Sequence, residues 1–214
     1  MRFSVILPTR DRPEWVVHAV QSVIGQSFTD WELIVLDNSK DPYGIEWPDD
    51  RVRYVWERCD GVADAYNRAL HLAQGEIIVP LGDDDVLPVD TLRTSDELFG
   101  DALWLNGRTW IIDTAGNVIA ERGGTYSSLG TTLAGTYWLG GAVHWRKSLT
   151  DRLGDFSSDY DGAADFDLYL RFLKDSDPVV TETVMYVYRD WPGTDSRMRA
   201  ENQRLMSQRI ANGV

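Results

Sequence analysis

The chain contains the stretch Glu76-Ile77-Ile78-Val79-Pro80-Leu81-Gly82-Asp83-Asp84-Asp85, in which a short apolar run leads into three consecutive carboxylates. A continuous apolar run is typical of a strand that is buried on both faces in a parallel sheet. Three like charges at the end of such a strand favour a bound cation. Carboxylate oxygens suit Mg²⁺ or Mn²⁺, and protein-bound Mg²⁺ usually takes one or two carboxylates together with substrate phosphates. The stretch therefore predicts a metal-held phosphate ester; the alternative is a solvated acidic loop.

Strand and helix patterns alternate on the N-terminal side of this stretch. The apolar runs predict strands over residues 3–7, 31–36, 52–56 and 76–80. Helical spacing predicts one helix that begins at Pro13 and ends before Gly25, and a second over residues 62–73. This alternation predicts a parallel sheet covered by helices, with ligands bound beyond the carboxyl ends of the strands. Those ends lie at residues 9–12, 37–39 and 83–85.

The pattern changes in the C-terminal half of the chain. Residues 102–110 alternate with period two, and a turn at residues 113–117 precedes a returning segment at 118–120, which together predict a β-hairpin. Residues 123–141 are rich in Gly, Ser and Thr and predict a loop that faces the substrate. A helix over residues 163–174, a last strand over 179–188 and a polar terminal helix over 196–214 complete the prediction.

Composition, charge and missing motifs exclude several classes of protein. With 214 residues and 43% hydrophobic content, the chain can bury a core as one domain. Its net charge of −13 argues against nonspecific binding of nucleic acid. Neither the Gly-rich dinucleotide signature nor a P-loop is present, so a metal would have to carry the pyrophosphate of a bound nucleotide. One cysteine, no apolar stretch near the ~20 residues of a membrane span and no signal peptide predict a soluble cytoplasmic protein.

Several motifs together carry a family likeness. They lie, in order, at residues 4–13, 22–28, 31–39, 61–67, 73–78, 83–85, 154–156 and 165–171. In these segments the chain resembles the family 2 glycosyltransferases of the GT-A fold. The resemblance implies an α/β fold with a Rossmann-type, mostly parallel sheet flanked by helices and a C-terminal hairpin and helices on the acceptor side. It also implies one continuous domain, with a nucleotide-sugar-binding half at residues 1–100 and an acceptor-binding, catalytic-base half at 101–214.

The resemblance further implies a chemistry. A sugar would pass from a nucleoside-diphosphate sugar, here a UDP-sugar, to an acceptor hydroxyl with inversion, with Mn²⁺ or Mg²⁺ bridging the diphosphate to the acidic cluster. The acceptor would be a glycan, a lipid-linked sugar, a protein or a small molecule. In this chain Asp85 would bind the metal, with Asp83 as a second ligand. Gly82 stands where many relatives have the first aspartate, so the register of the motif stays open.

Residues of the nucleotide-sugar site follow from the same resemblance. Those expected to line it are Thr9, Asp11, Asp37, Asn38, Asn67, Asp83 and Asp84. Most of these short polar side chains follow a strand, where they can contact base and ribose edges. Taken singly, such residues are as often turns or helix caps as ligands.

Asp165 is the predicted catalytic base. An acceptor hydroxyl must lose its proton to attack the anomeric carbon, and a carboxylate within hydrogen-bond distance can take it. Relatives carry an acidic pair at a helix start, and Asp165 matches its second member. The alternative is a carboxylate that only stabilises the helix N-terminus, and the two roles are compatible. On the acceptor side, Trp138 is predicted to stack on a sugar ring and His144 to contact the substrate.

Four positions depart from the family pattern: Tyr66, Gly82, Ala164 and Trp191. Tyr66 replaces a frequent arginine, Ala164 the first acid of the pair, and Trp191 a frequent histidine. These departures leave open a second hypothesis, a non-catalytic relative that binds a nucleotide or sugar. A nucleotidyltransferase on a similar scaffold is a third, although it lacks the expected Gly-rich phosphate loop.

Overall fold

The computed structural model describes residues 1–124, 140–160, 162–192 and 208. Its strands are β1 (Phe3–Thr9), β2 (Trp31–Asp37), β3 (Val52–Trp56), β4 (Ile77–Pro80), β5 (Trp104–Ile112), β6 (Val118–Gly123), β7 (Val143–Arg146) and β8 (Val179–Arg189). Its helices are α1 (Pro13–Ile24), α2 (Val62–Leu72), α3 (Thr91–Phe99), α4 (Lys147–Leu153) and α5 (Ala164–Asp175), with a short 3-10 turn at Ser158–Tyr160.

All the strands belong to one sheet. Its order is β3-β2-β1-β4-β7-β5-β6, and β8 pairs with β5. Strands β1 to β4 run parallel to one another, as predicted. Strand β7 runs antiparallel to both β4 and β5, β6 runs antiparallel to β5, and β8 runs parallel to β5. Because β7 lies between β4 and β5, it joins the N-terminal and C-terminal parts of the chain into one sheet.

The core has two layers, one on each face of the sheet. Alternation along β1 sends Phe3, Val5 and Leu7 to the layer that packs with α1 and α3, while Ile6 packs with α2 and α5. Each of these side chains is fully buried. Burial on both faces explains why the strands are continuously apolar, and it confirms the prediction of a helix-covered parallel sheet.

Strand β1 is longer than predicted, because it continues through Pro8 to Thr9. Backbone groups of alternate residues in β1 point toward β4 and toward β2. The Ile6 carbonyl points toward β4, where it accepts the N–H of Leu81, and the backbone of Pro8 points the same way. Pairing with β4 ends at Ile6 and Pro80, so the N–H that Pro8 lacks costs no ladder hydrogen bond. The proline therefore does not stop the strand, which extends along β2 to Asp37.

The hairpin of β5 and β6 is confirmed, with its turn between Asp113 and Asn117. Three further elements, α3, β7 and α4, were missed by the sequence analysis. Helix α5 and strand β8 were predicted to within about a residue of their ends. The predicted terminal helix at 196–214, apart from residue 208, and most of the predicted loop at 123–141 lie outside the described residues. None of the described helices is long and apolar enough to cross a membrane.

Candidate active site

The carboxyl ends of β1, β2 and β4 meet at one edge of the sheet. Thr9 ends β1, Asp37 ends β2, and the acidic cluster of Asp83, Asp84 and Asp85 follows β4. The Thr9 hydroxyl donates a 2.8 Å hydrogen bond to Asp83 Oδ2. The parallel order of the strands thus brings together polar ends that are more than 70 residues apart, as predicted.

Asp85 is held by the end of β8. Tyr186 donates its hydroxyl to Asp85 Oδ2 at 2.6 Å, and the backbone N–H of Arg189 donates to Asp85 Oδ1 at 2.8 Å. The Tyr186 hydroxyl also accepts the N–H of Gly82 at 3.0 Å. A Cβ at position 82 would lie 2.7 Å from Asp85 Oδ2. The absence of a side chain at Gly82 therefore lets Asp85 fold back over the loop.

Arg12 and Trp191 cover the other two carboxylates. Arg12 Nη1 lies 3.1 Å from Asp83 Oδ1 and 3.4 Å from Asp84 Oδ2. The Trp191 indole N–H donates to Asp84 Oδ2 at 2.9 Å. The Trp191 ring lies 5.3 Å from that of Trp15, and the Arg12 guanidinium lies 5.7 Å from the Trp191 ring centre. Trp191, at the position of a frequent histidine, thus takes part in the acidic site.

Burial makes two carboxylates of the acidic cluster, Asp83 and Asp85, costly to ionise. It raises the pKa of Asp83 to about 6, and the charge of Arg12 opposes the shift while that of Asp84 adds to it. Burial, followed by the charge of Asp84, raises the pKa of Asp85 well above its usual value. Carboxylates with raised pKa values in a cleft are common at functional sites. A cation at this position would lower the cost of their charge.

The oxygen-only donor set fits Mg²⁺ or Mn²⁺. Asp83 and Asp85 accept protein hydrogen bonds on both oxygens, yet each carboxylate has about four lone-pair sites, so coordination capacity remains. Among the described residues, no group of three or more acidic, His or Cys side chains is arranged to enclose a metal ion. A full cage is not needed, because Mg²⁺ with a nucleotide typically uses one or two carboxylates plus phosphate oxygens. Asp85 and Asp83 would be the ligands.

The predicted nucleoside residues form a hydrogen-bonded network. Asp37 is fully buried; it accepts the Tyr54 hydroxyl and, at 2.8 Å, the N–H of Ser39. Tyr54 also accepts the N–H of Tyr43, and the Tyr43 hydroxyl pairs with Thr9 Oγ1 at 2.8 Å. Burial, followed by the hydrogen bond to Asp37, raises the pKa of Tyr54 to about 12. The network runs from the end of β2 to the acidic cluster.

Asn38 and Asn67 both hold backbone in place. Asn38 Nδ2 donates to the Cys59 carbonyl at 3.1 Å, and Asn38 Oδ1 accepts the Cys59 N–H at 2.8 Å. Asn67 makes the same pair of bonds to Phe156, at 2.8 and 2.9 Å. Neither side chain is aimed into the cleft with free amide atoms. They position the β3–α2 loop and the segment before α5, respectively.

Asp11 is exposed at the rim of the site. Its backbone has a φ of 55°, in the left-handed region that Asp tolerates better than most residues. Its N–H donates to Ser39 Oγ at 2.7 Å, and Asp11 Oδ1 accepts the N–H of Lys40 at 3.4 Å. These bonds join the loop after β1 to the loop after β2, and they leave the carboxylate accessible to a ligand.

Asp165 lies in the first turn of α5 and is exposed to solvent. The surrounding protein nevertheless raises its pKa by desolvation. An exposed carboxylate at the start of a helix is accessible to a substrate from solution. Ala164, at the position of the missing first acid, is buried in the core with Tyr169.

The structure does not bring His144 to this site. It lies in β7, is fully buried, and its Nδ1 pairs with Ser95 Oγ of α3 at 2.9 Å. Burial lowers the pKa of His144 to about 3. A residue enclosed between sheet and helix has no surface for an acceptor, so the predicted contact with substrate is wrong. Trp138 lies outside the described residues.

Sequence reasoning missed the residues that neutralise the acidic cluster. Arg12 stood inside a recognised motif and was given no role, and Tyr43, Tyr54 and Tyr186 were not singled out. Alternation along β8 does not identify the Tyr186 hydroxyl, because the adjacent residues Met185 and Tyr186 are both buried in the same core layer. The partner of Tyr186 has no local signal either, because 101 residues separate Tyr186 from Asp85.

Comparison with solved structures defines the fold. S. aureus TarS 1-349 in complex with UDP matches 96% of this chain with a TM-score of 0.73 and 18% identity, over 64% of its own length. The mannosyltransferase PcManGT from Pyrobaculum calidifontis, in complex with GDP-Man and Mn²⁺, matches 95% of this chain with a TM-score of 0.67 and 20% identity, over 60% of its own length. The fold is therefore the GT-A fold, as expected.

Sequence comparison then supports the family resemblance. Residues 4–95 match the model described as Glycosyl transferase family 2, which confirms the resemblance over this part of the chain. A protein of Sinorhizobium fredii, uncharacterised y4gI, is 28% identical over 94% of this chain. The Escherichia coli UDP-Glc:alpha-D-GlcNAc-diphosphoundecaprenol beta-1,3-glucosyltransferase WfgD is 28% identical over 59% of it. The chain spans 23% and 54% of these two relatives, respectively.

Proposed function

We propose that the protein is a metal-dependent glycosyltransferase that moves a sugar from a UDP-sugar to an acceptor hydroxyl, with inversion at the anomeric carbon. The acceptor class is a glycan, a lipid-linked sugar, a protein or a small molecule. Support for the nucleotide comes from TarS, solved with UDP, and from a relative named as a UDP-Glc-dependent glucosyltransferase. Support for the metal comes from the acidic cluster and from PcManGT, solved with Mn²⁺.

One observation carries the proposal: the Tyr66 phenol of α2 is near enough to both groups of carboxylates to experience their charges. Burial raises the pKa of the Tyr66 phenol, and the next causes are the charges of Asp165 and of the acidic cluster. Asp165 and the acidic cluster are therefore both within electrostatic range of one side chain. The Tyr66 ring stacks on Phe156 at 5.0 Å, which sets its position. These observations support a single cleft that holds the candidate donor site and the candidate base.

Within that cleft the proposed roles are these. Asp165 accepts the proton of the acceptor hydroxyl as the oxygen forms its bond to the anomeric carbon. The bond from the anomeric carbon to the diphosphate breaks, and UDP leaves with the electron pair. A divalent ion, when bound, neutralises negative charge that develops on the leaving diphosphate. Attack from the face opposite the diphosphate inverts the anomeric configuration.

A second candidate is a protein that binds a nucleotide or sugar without transfer. It is favoured by the hydrogen bonds that both oxygens of Asp83 and of Asp85 already accept from the protein, since a metal would have to share these oxygens. It predicts ligand binding with no turnover.

The test begins with thermal stability in the presence of UDP, GDP, CDP or dTDP, each with and without Mn²⁺. A ligand that binds the native state raises the melting temperature by mass action. We expect a shift with UDP that requires Mn²⁺, followed by release of UDP from a UDP-sugar when acceptors are supplied. Binding without UDP release from any sugar donor would support the second candidate. No shift with any of the nucleotides would contradict the proposed transferase and would leave the second candidate only as a protein that binds a sugar.

A further inference from the structure

Arg12 already acts as a cation for the acidic cluster. Its Nη1 contacts Asp83 and Asp84 at 3.1 and 3.4 Å, and the three side chains are 22%, 8% and 11% exposed, respectively. The contact spans 71 residues of sequence and is one of several that fix the loop after β1 to the loop after β4. A permanent charge in a mostly buried site offsets the repulsion between neighbouring carboxylates.

A divalent ion held by Asp83 would compete with this guanidinium. Both would bind the same carboxylate, which would bring two positive charges to short separation in a partly desolvated site. Like charges at that range repel strongly. Metal binding to Asp83 therefore requires the Arg12 side chain to leave it, or to find another anion.

The backbone of Arg12 and the aromatic ring beside its guanidinium are both held in place. Its backbone is held, because the Arg12 N–H donates to the Tyr43 hydroxyl at 2.9 Å and the next residue, Pro13, begins α1. Its guanidinium faces the Trp191 ring, whose position is fixed by the bond to Asp84 and by contact with Trp15. An arginine can slide over an aromatic face while it keeps a cation–π contact.

We propose that Arg12 is a resident counter-cation that is exchanged for the divalent ion when a diphosphate binds, its guanidinium passing from the Asp83 carboxylate to phosphate oxygens. Arginine suits this exchange, because its planar fork binds carboxylate and phosphate with the same geometry. This inference rests on the proposed function. Its consequence is that the metal binds weakly alone and tightly together with the nucleotide.

The experiment measures Mn²⁺ affinity from the electron paramagnetic resonance signal of free Mn²⁺, without nucleotide, with UDP and with uridine. For Arg12→Gln we expect Mn²⁺ alone to bind about fivefold or more tighter than to the native protein, at the lower end of typical couplings between interacting sites. UDP should increase Mn²⁺ affinity in the native protein by a larger factor than in the variant, and uridine, which has no phosphate, should not increase it.

Two controls sharpen the result. Arg12→Lys keeps the charge and should bind Mn²⁺ as weakly as the native protein does. Arg10→Gln removes a nearby charge that is 66% exposed and pairs with Asp11 rather than with the cluster, and it should change the Mn²⁺ affinity little. Circular dichroism and melting temperature confirm that each variant is folded.

The inference is overturned if Arg12→Gln binds Mn²⁺ no tighter than the native protein, or if Arg10→Gln tightens it equally. These outcomes differ from a failure of the proposed function. The comparison of affinities for Mn²⁺ alone needs no nucleotide. If UDP raises the melting temperature normally but Arg12→Gln has the Mn²⁺ affinity of the native protein, the proposed exchange is wrong and the proposed donor site still stands.

Discussion

Asn67 and Phe156 are joined by a pair of hydrogen bonds that ties α2 to the segment before α5. Asn67 Nδ2 donates to the Phe156 carbonyl at 2.8 Å, and Asn67 Oδ1 accepts the Phe156 N–H at 2.9 Å. The Phe156 ring in turn stacks on Tyr66 and meets Trp145 in the core. A single side chain thus links the wall of the cleft to the helix that carries the candidate base.

Asn67→Ala should lower the free energy of unfolding by about 2–3 kcal/mol, because it leaves a buried N–H and a buried carbonyl without partners. Urea denaturation measures the change. Asn117→Ala is the control: it removes an exposed turn side chain bonded to Asp113 and should cost less than about 1 kcal/mol. UDP affinity should be unchanged where both proteins are folded, and a large loss would make Asn67 a nucleotide ligand instead.

Gly82→Ala should destabilise the protein by about 1–3 kcal/mol, because the new Cβ would lie 2.7 Å from Asp85 Oδ2. Without that contact, Gly82→Ala would stabilise the native protein by up to about 1 kcal/mol, because alanine reduces the conformational entropy of the unfolded chain. A double-mutant cycle with Asp85→Ala measures the coupling between the two positions. If Gly82→Ala costs as much with Asp85 absent, the clash is not the cause.

Asp165→Asn should reduce sugar transfer by about 100-fold or more, since the amide cannot accept the hydroxyl proton. UDP and Mn²⁺ should still raise the melting temperature as in the native protein. Asp159→Asn, at an exposed carboxylate in the 3-10 turn that precedes α5, is the matched control and should transfer normally. Normal turnover by Asp165→Asn would remove this residue from catalysis.

His144 should make the protein sensitive to acid. In the unfolded chain the imidazole has a pKa of about 6.5, whereas burial lowers the pKa of His144 in the native state to about 3. Between these values the unfolded state binds more protons, so the free energy of unfolding falls as pH decreases. From pH 7.5 to 4.5 the His144 contribution amounts to about 2–3 kcal/mol.

The measurement compares urea denaturation of the native protein and His144→Gln at those two pH values. The variant should lose less stability on acidification, by roughly the same 2–3 kcal/mol. Equal losses in both proteins would mean that His144 becomes protonated without unfolding. His71, which is exposed and paired with Asp155, provides a control position.

Much of the fold was predictable, because periodicity records which faces are buried. Continuous apolar runs predicted β1 to β4, and helical spacing predicted α1, α2 and α5. Strand β7 was missed because it is short, with four residues, and its polar His144 breaks the apolar pattern. Its pairing with β4 and β5 depends on contacts distant in sequence, and these have no local signature.

The sequence by itself determined the α/β alternation, the acidic cluster after β4 and the carboxylate at the start of α5, because each is a local pattern of residue types. Only the tertiary structure decided what those groups contact. Asp83 meets Arg12, Asp85 meets Tyr186, and Asn67 holds Phe156. Such pairs form where distant strands and loops converge, and hydrogen-bond geometry depends on positions that no short stretch of sequence specifies.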